Sequence, residues 1–499
     1  MHKLAILVAA SLLILCTPMR PSERDVDWRT KLDLPLARAA STRGDEVRAL
    51  IRVTRGSGPR VIERLAARNI PITASSAADL FLARLPRPLL ATVANDPGVV
   101  QMSLDAPVRA MGGTLTSLSQ NVLLGTQALL PRTYTGKNIG VAVVDSGLVV
   151  SADLDDAASY DFTTGKTVKT GPKDAFGHGT HVSGLVASTG STTGGLYQGI
   201  APGARLIVLK ALDSTGVGYT SNVINAINFA VANKATLGID VINLSLGHPI
   251  YEPAGTDPLV VAVEQAVAEG IVVVVSAGNF GGDPVTREVG YAGITSPGNA
   301  PSAITVGALE TYQTVARGDD AVAWYSSRGP TWYDGYQKPD IVAPGSHLAS
   351  DVSSGSALIN EYPRGVLKTS GTCKLMRLSG TSMAAGVVSG IVATMLEASQ
   401  TSHPGGQLTP NAVKAILQYT AFEMPGEDVL TQGAGAVNAA GAQAMARSID
   451  PTAPLGAGWL TTQLVPYTTV DGTPHAWGQR VIWGDRVIWG NQIETNDPA

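Results

Sequence analysis

The sequence predicts an α/β protein: a mostly parallel sheet with helices on both faces, preceded by a second, smaller α/β sandwich. Three observations lead there. The run Asn138-Ile139-Gly140-Val141-Ala142-Val143-Val144-Asp145 is apolar at nearly every position, as a central parallel strand buried on both faces must be. From Ala204 to Ser276 strand-like and helix-like segments alternate, which is the pattern of a parallel sheet. Between Val47 and Leu104 a shorter strand–helix–strand–helix–strand series has its own apolar periods.

Taken in order, residues 1–20 read as a secretory signal. His2 and Lys3 precede an apolar run from Leu4 to Leu15, then Thr17-Pro18, and the run is too short to span a bilayer comfortably. Cys16 follows a bulky Leu15, which argues against a lipid-modified cysteine. Without the signal only Cys373 is left, so no internal disulfide forms and packing carries the stability. Residues 21–45 are charged and read as a linker. In the unit at 46–110, Val47 to Val53 alternates as a strand, and Arg60 to Asn69 places Val61 and Leu65 on one helical side. Ala78 to Leu85 and Val99 to Leu104 are further strands, with a helix from Pro88 to Asn95 between them.

The larger domain is expected at 111–449. Met111 to Tyr134, rich in Gly, Thr, Ser and Leu, reads as a connector. The strand ending at Asp145 presents a carboxylate at its carboxyl end, where open α/β sheets place their chemistry. Gly177-His178-Gly179-Thr180-His181 follows. Its histidines are three apart with no glutamate beside them, unlike a helical metal pair, so His181 is expected to be a packed neighbour. Strands at Ala204–Leu212, Val241–Leu246 and Ile271–Ser276 alternate with helices at Ser221–Ala235 and Leu259–Glu269. The third of these strands runs into Ala277-Gly278-Asn279, and the asparagine amide is a candidate oxyanion donor. In Leu378-Ser379-Gly380-Thr381-Ser382-Met383-Ala384-Ala385-Gly386, small residues surround a serine before an apolar helical run from Val387 to Leu396. A helix start offers unpaired N–H groups beside that hydroxyl.

Together these segments resemble the subtilisin family of serine proteases. Asp145, His178 and Ser382 occur in that family's chain order, inside Val144-Asp145-Ser146-Gly147, Gly177-His178-Gly179-Thr180-His181 and Gly380-Thr381-Ser382-Met383-Ala384. Supporting matches are Gly199-Ile200-Ala201-Pro202, Asn243-Leu244-Ser245-Leu246-Gly247, Ser326-Ser327-Arg328-Gly329-Pro330 and Lys338-Pro339-Asp340. The resemblance implies a secreted, broad-specificity endopeptidase acting on protein or peptide substrates through an Asp145-His178-Ser382 triad, with Asn279 in the oxyanion hole. It also implies that Gly216, Gly218, Ser245, Leu246 and Gly247 bind extended substrate as an added strand. The unit at 46–110 resembles the family's ferredoxin-like, inhibitor-like propeptide, an intramolecular partner removed by self-processing between about Leu104 and Ser117. Its end, Asp105 to Ala110, would lie in the active site as a first substrate.

An α/β-hydrolase esterase would put its nucleophile first and a glycine two residues after it. Here the serine comes last and Ala384 fills that place. A degenerate, non-catalytic relative is disfavoured because all three catalytic residue types are present. One departure from the family is Gly386, where proline is usual, and it predicts a less rigid turn at the nucleophile. The family commonly binds calcium, but the loop Ser188 to Gln198 has no carboxylate. Asp283, Asp351 and the trio Asp153, Asp155 and Asp156 are the alternatives; no metal site is assigned and no cofactor is required. With net charge −4 and 15% charged residues, nothing points to nucleic acid, nor to a membrane once the signal is removed. The extension at 450–499 ends in a six-residue repeat, Arg480-Val481-Ile482-Trp483-Gly484-Asp485 and Arg486-Val487-Ile488-Trp489-Gly490-Asn491. It reads as two short strands or an added edge strand, either packed on the body or serving as a sorting or surface-attachment signal.

Overall fold

The structure, a computed structural model, describes residues 27–42, 46–110, 133–367, 374–454 and 457–489, with short interruptions inside these ranges. The signal segment 1–20, Cys16, Cys373 and nearly all of the connector 111–134 lie outside the described residues.

The stretch expected to be a linker is folded from Trp28 onward, and this corrects the boundary drawn at residue 45. Helix α1 (Leu34–Ala40) is N-capped by Asp33, whose carboxylate accepts from the N–H of Leu36 and, across the unit, of Leu104. Trp28, Leu32, Leu36 and Ala40 recur every fourth residue. Although Trp28 and Leu32 precede the helix, all four pack on the unit's core, and Leu36 is completely buried there. The intervening charges conceal the stripe when the segment is read by composition.

Strands β1 (Glu46–Val53), β2 (Ile72–Ala74), β3 (Leu80–Pro86) and β4 (Val99–Leu104) form an antiparallel sheet in the order β2-β3-β1-β4. The three-residue edge strand β2 is one more than the periodicity announces. Strand alternation divides β1 between two cores. Ala49, Ile51 and Val53 pack on helices α2 (Gly58–Ala66) and α3 (Leu90–Ala94), while Leu50 faces the larger domain.

Beyond β5 (Pro107–Ala110), the body is a nine-stranded sheet. Its strands are β6 (Gly140–Asp145), β7 (Ala158–Asp161), β8 (Val168–Lys169), β9 (Arg205–Lys210), β11 (Val241–Leu244), β13 (Val272–Ser276), β15 (Ile304–Glu310), β16 (Ala321–Val322) and β17 (Ile341–Pro344). Their order is β16-β15-β13-β11-β6-β9-β7-β8, with β17 also on β15; only β8 and β16, which end this order, run antiparallel to their neighbours. Alternate residues of the central strands enter opposite cores. Val141, Val143 and Val274 meet Val182, Val388 and Ile391 of helices α4 (His178–Ala187) and α7 (Thr381–Ser402). Ala142, Val144 and Val275 meet Val223, Ile227, Leu259 and Val263 of α5 (Thr220–Ala232) and α6 (Pro258–Ala268). Leu50 and Leu80 of the N-terminal unit join this second core, so its sheet lies on α5 and α6.

The single strand expected at Val241–Leu246 is broken at Ser245. Strand β11 stays in the sheet, while β12 (Leu246–Pro249) leaves it to pair with β5 and with β14 (Thr295–Ser296). Among the described residues α7 is the one helix long and apolar enough to cross a membrane, and it is instead the buried core helix. Gly386 does not interrupt it. A β-carbon there would lie 3.4 Å from Val182, an ordinary contact, so the position does not require glycine and the helix that carries Ser382 runs on through it. In the extension, Val470, Trp477 and Ile482 are buried in the main core. The Ile482 N–H donates to Gln418 Oε1, and Arg480–Trp483 pairs with Arg486–Trp489 as a hairpin.

Candidate active site

Asp145 ends β6 and His178 opens α4, and they meet across a backbone contact only glycine permits. A β-carbon on Gly179 would lie 2.3 Å from the Gly147 carbonyl oxygen and 3.2 Å from the Asp145 β-carbon. His178 Nδ1 lies 2.8 and 2.9 Å from the two carboxylate oxygens of Asp145. A carboxylate only accepts, so Nδ1 carries the proton and Nε2 presents its lone pair. Both side chains are buried, and Nε2 has no hydrogen-bond partner among the described residues.

A residue the sequence reading passed over sets this pair. Asp174 Oδ1 accepts from the Gly177 N–H and Ser146 Oγ, and Oδ2 accepts from the N–H and hydroxyl of Thr180, at 2.7 to 2.9 Å. Ser146 Oγ in turn accepts from the Gly179 N–H. One buried carboxylate thus caps the helix that begins at His178 and ties it to the residue after Asp145. An aspartate just ahead of a helix-opening Gly-His-Gly was the available signal. His181, the packed neighbour as expected, donates from Nε2 to the carbonyls of Leu348 and Met376. Burial lowers its pKa to about 3, which keeps it neutral.

Ser382 lies in the first turn of α7, which packs on α4. Val182 and Gly386, each four residues beyond its histidine or serine, are in contact, so both helices start at one place. The Ser382 hydroxyl donates to the Ser245 carbonyl at 3.0 Å, and Ser245 Oγ donates to the Ser382 carbonyl at 3.0 Å. Asn279, after β13, accepts at Oδ1 from the N–H and the hydroxyl of Thr381, both at 3.0 Å. Those two donors fix the orientation of the amide and turn its NH2 group away from Thr381.

Beside Ser382 runs a strand of the chain itself. Strand β5 lies between β10 (Val217–Tyr219) and β12, antiparallel to both. Gly218 pairs with Val108, Leu246 with Ala110 and Gly247 with Arg109, and the Gly216 carbonyl accepts from the Ala110 N–H at 3.1 Å. Gly216 is at φ +73°, with the Phe176 ring 2.4 Å from where a β-carbon would stand. Four of the five residues expected to bind extended substrate therefore border β5, and Ser245 holds the serine. Asp105, just before β5, accepts from the N–H and hydroxyl of Ser221 and pairs with Arg48, which stacks on Tyr219. It caps α5 from outside the helix, a role no local sequence pattern announces.

Of the carboxylates considered for calcium, Asp153 lies near enough to Asp351 for its charge to help raise the Asp351 pKa. Among the described residues no three His, Cys, Asp or Glu side chains converge on one point. Asp153 reaches the carboxylate-free loop but accepts there from Ser191 and Thr192. Its burial is outweighed by those bonds, which hold its carboxyl below the usual range. Asp283 caps its own turn through Val285 and Thr286. Asp351 is buried and pushed up to about 6 by that burial.

Comparison with known proteins agrees with this geometry. Residues 136–448 match the subtilase family. The chain is 38% identical over 361 residues to the serine protease AprX of Bacillus subtilis (strain 168), covering 71% of this chain and 76% of that protein. It is 38% identical over 230 residues to subtilisin E of the same organism, covering 46% of this chain and 52% of that one. Among solved structures, fervidolysin from Fervidobacterium pennivorans, described as a keratinolytic enzyme related to subtilisin, aligns with a TM-score of 0.61 at 22% identity. That alignment covers 80% of this chain and 61% of the other, and shows a shared fold. The chain therefore belongs to the subtilase family and is a subtilisin-like serine protease.

Proposed function

We propose that this protease is an exported, broad-specificity endopeptidase made as a self-processing zymogen, with Asp145, His178 and Ser382 as its triad. The observation that carries this reading is the pairing of His178 Nδ1 with Asp145 while its own strand β5 lies beside Ser382. Ser382 rotates from Ser245 toward His178 Nε2 and attacks the substrate carbonyl as Nε2 takes its proton; Asp145 stabilises the imidazolium. The oxyanion is held by the Ser382 N–H and the Asn279 amide NH2. Pairing through backbone favours broad specificity. Export rests on the pattern of residues 1–20 and on the likeness to subtilisins. The test is a phosphorylating serine reagent: it should label Ser382 and stop casein hydrolysis, and a folded, unlabelled mature enzyme would refute the assignment.

Asn279→Leu is expected to lower kcat by about 10²–10³ with KM little changed, the loss known for this kind of donor in subtilisin itself. Steady-state kinetics on a peptide amide decide it. A change in KM alone would make Asn279 a ground-state binding residue.

The unit at 46–110, with α1 added, acts as the propeptide, and its seat is acidic. Glu252 accepts from Gln101 of β4 and faces Asp257, Asp33 and the Arg52 guanidinium. Burial, and after it the charge of Asp257, pushes Glu252 up to about 8; burial pushes Asp33 up to about 6. A carboxyl raised by folding contributes stability that is complete below its ordinary range and lost as pH climbs through the raised value. The contact should therefore loosen as pH rises from the ordinary carboxylate range, the Asp33 part being lost by about pH 6 and the Glu252 part by about pH 8. In Ser382→Ala protein the melting transition of this unit should fall from about pH 5 to about pH 9, and Glu252→Gln should flatten the upper part of that fall. Equal slopes in calorimetry with and without Glu252→Gln would count against it.

A further inference from the structure

The run Ser326-Ser327-Arg328-Gly329-Pro330 has no place in the triad, yet it lies against the loop that carries Asn279. That loop, Gly278-Asn279-Phe280-Gly281, has little with which to anchor itself. Its two glycines have no side chains, and Phe280 is 58% exposed. Apolar packing does not fix it, so its backbone groups must be held by hydrogen bonds from neighbours. Ser327 and Arg328 supply them on either side of Asn279. The Ser327 N–H donates to the Gly278 carbonyl at 3.0 Å, and Ser327 Oγ accepts from the Phe280 N–H at 3.0 Å. A β-carbon on Gly278, at φ +110°, would lie 2.8 Å from that hydroxyl oxygen, so the two segments touch there. Arg328 Nη1 donates to the Gly281 carbonyl at 2.8 Å and also reaches the carbonyls of Ser326 and Trp324. Both residues are buried, and Arg328 Nε has no hydrogen-bond partner among the described residues. A buried guanidinium is costly to keep, and what this one holds is backbone two residues from Asn279. Thr381 orients the Asn279 amide and accepts from the Gly278 N–H at 3.1 Å; the bonds to the Phe280 N–H and the Gly281 carbonyl come from Ser327 and Arg328.

We propose that Ser327 and Arg328 are positioning residues for peptide hydrolysis: they set the backbone on both sides of Asn279 so that its amide meets the oxyanion. This rests on the oxyanion reading of Asn279 above. An oxyanion donor acts on charge that develops only in the transition state. A loop released from Ser327 or Arg328 misplaces that donor, so turnover falls while substrate binding is left alone. The two residues act only through Asn279, and their effect therefore vanishes once the Asn279 amide is removed.

The test is a double-mutant cycle measured on mature enzyme with a peptide amide. Ser327→Ala and Arg328→Met should each lower kcat by about tenfold, with KM changed by less than about twofold. In an Asn279→Leu background the same substitutions should change kcat by less than about twofold, because the donor they place is gone. Where a variant matures too slowly to isolate, its rate of self-processing, followed by size, replaces kcat in the cycle. A merely structural role would lower kcat by the same factor in both backgrounds, and that result overturns the proposal. So does a change in KM alone, or Ser327→Ala with wild-type kcat. Thermal melting checks that each variant is folded; should Arg328→Met not fold, Ser327→Ala, which removes a single hydroxyl, decides alone. Asn279→Leu with wild-type kcat would remove the oxyanion reading and this proposal with it, whereas losses that multiply remove only the proposal.

Discussion

Ser382→Ala is expected to lower kcat on a peptide amide by about 10⁶, the size of loss known for removing the nucleophile from subtilisin itself. The chain should also stay a single precursor, with the N-terminal unit still attached. The physical reason is that no neighbouring group replaces the hydroxyl. Asp145 and His178 remain paired, and Asn279 remains fixed by Thr381, but no oxygen is left to attack. Folding should be nearly untouched, because Ser382 Oγ contributes one hydrogen bond, to Ser245. Size analysis of purified precursor checks maturation, and single-turnover kinetics check the rate. Ser382→Ala protein that still matures alone would rule out self-processing.

The second large effect is Asp145→Asn, expected to lower kcat by about 10⁴ near neutral pH. The side chains have one shape, and the Ser146 N–H can still donate to Oδ1, as it does now at 2.7 Å. The amide, however, places a donor against His178 Nδ1. The imidazole then keeps its proton on Nε2, the atom that must accept one from Ser382. Raising pH should recover part of the rate, whereas Asp145→Ala, with no misdirected donor, should have a different pH profile. Activity within tenfold of wild type in Asp145→Asn would mean that the carboxylate neither orients the histidine nor stabilises its cation.

How much of this was legible depends on the distance over which each signal acts. Asp145, His178, Ser382 and Asn279 sit in short runs whose glycines and small residues are demanded locally, by a close backbone approach or a helix start. Those runs can be found without knowing what they face. Asp105 caps a helix 116 residues away, and Asp174, although it caps the helix just after it, also binds Ser146, 28 residues back in the chain. Nothing beside Asp105 in sequence shows the N–H group it satisfies, and nothing beside Asp174 shows the serine hydroxyl. The helix at Leu34–Ala40 was hidden for another reason: it is seven residues long and the segments on either side of it carry most of the charges. The break at Ser245 could not be seen because β11 and β12 are both apolar, and only a partner strand from elsewhere shows that they belong to different sheets.

The buried helix Thr381–Ser402 has a further consequence. Its first turn carries Ser382, while Val388, Ile391 and Met395 farther along fill the space under the sheet. Such a residue cannot be repositioned by remodelling a surface loop, because the rod that bears it is locked from end to end. On the proposed reading, variation in what the protease cuts falls to the strand edges at Gly216–Tyr219 and Leu246–Pro249, which border β5.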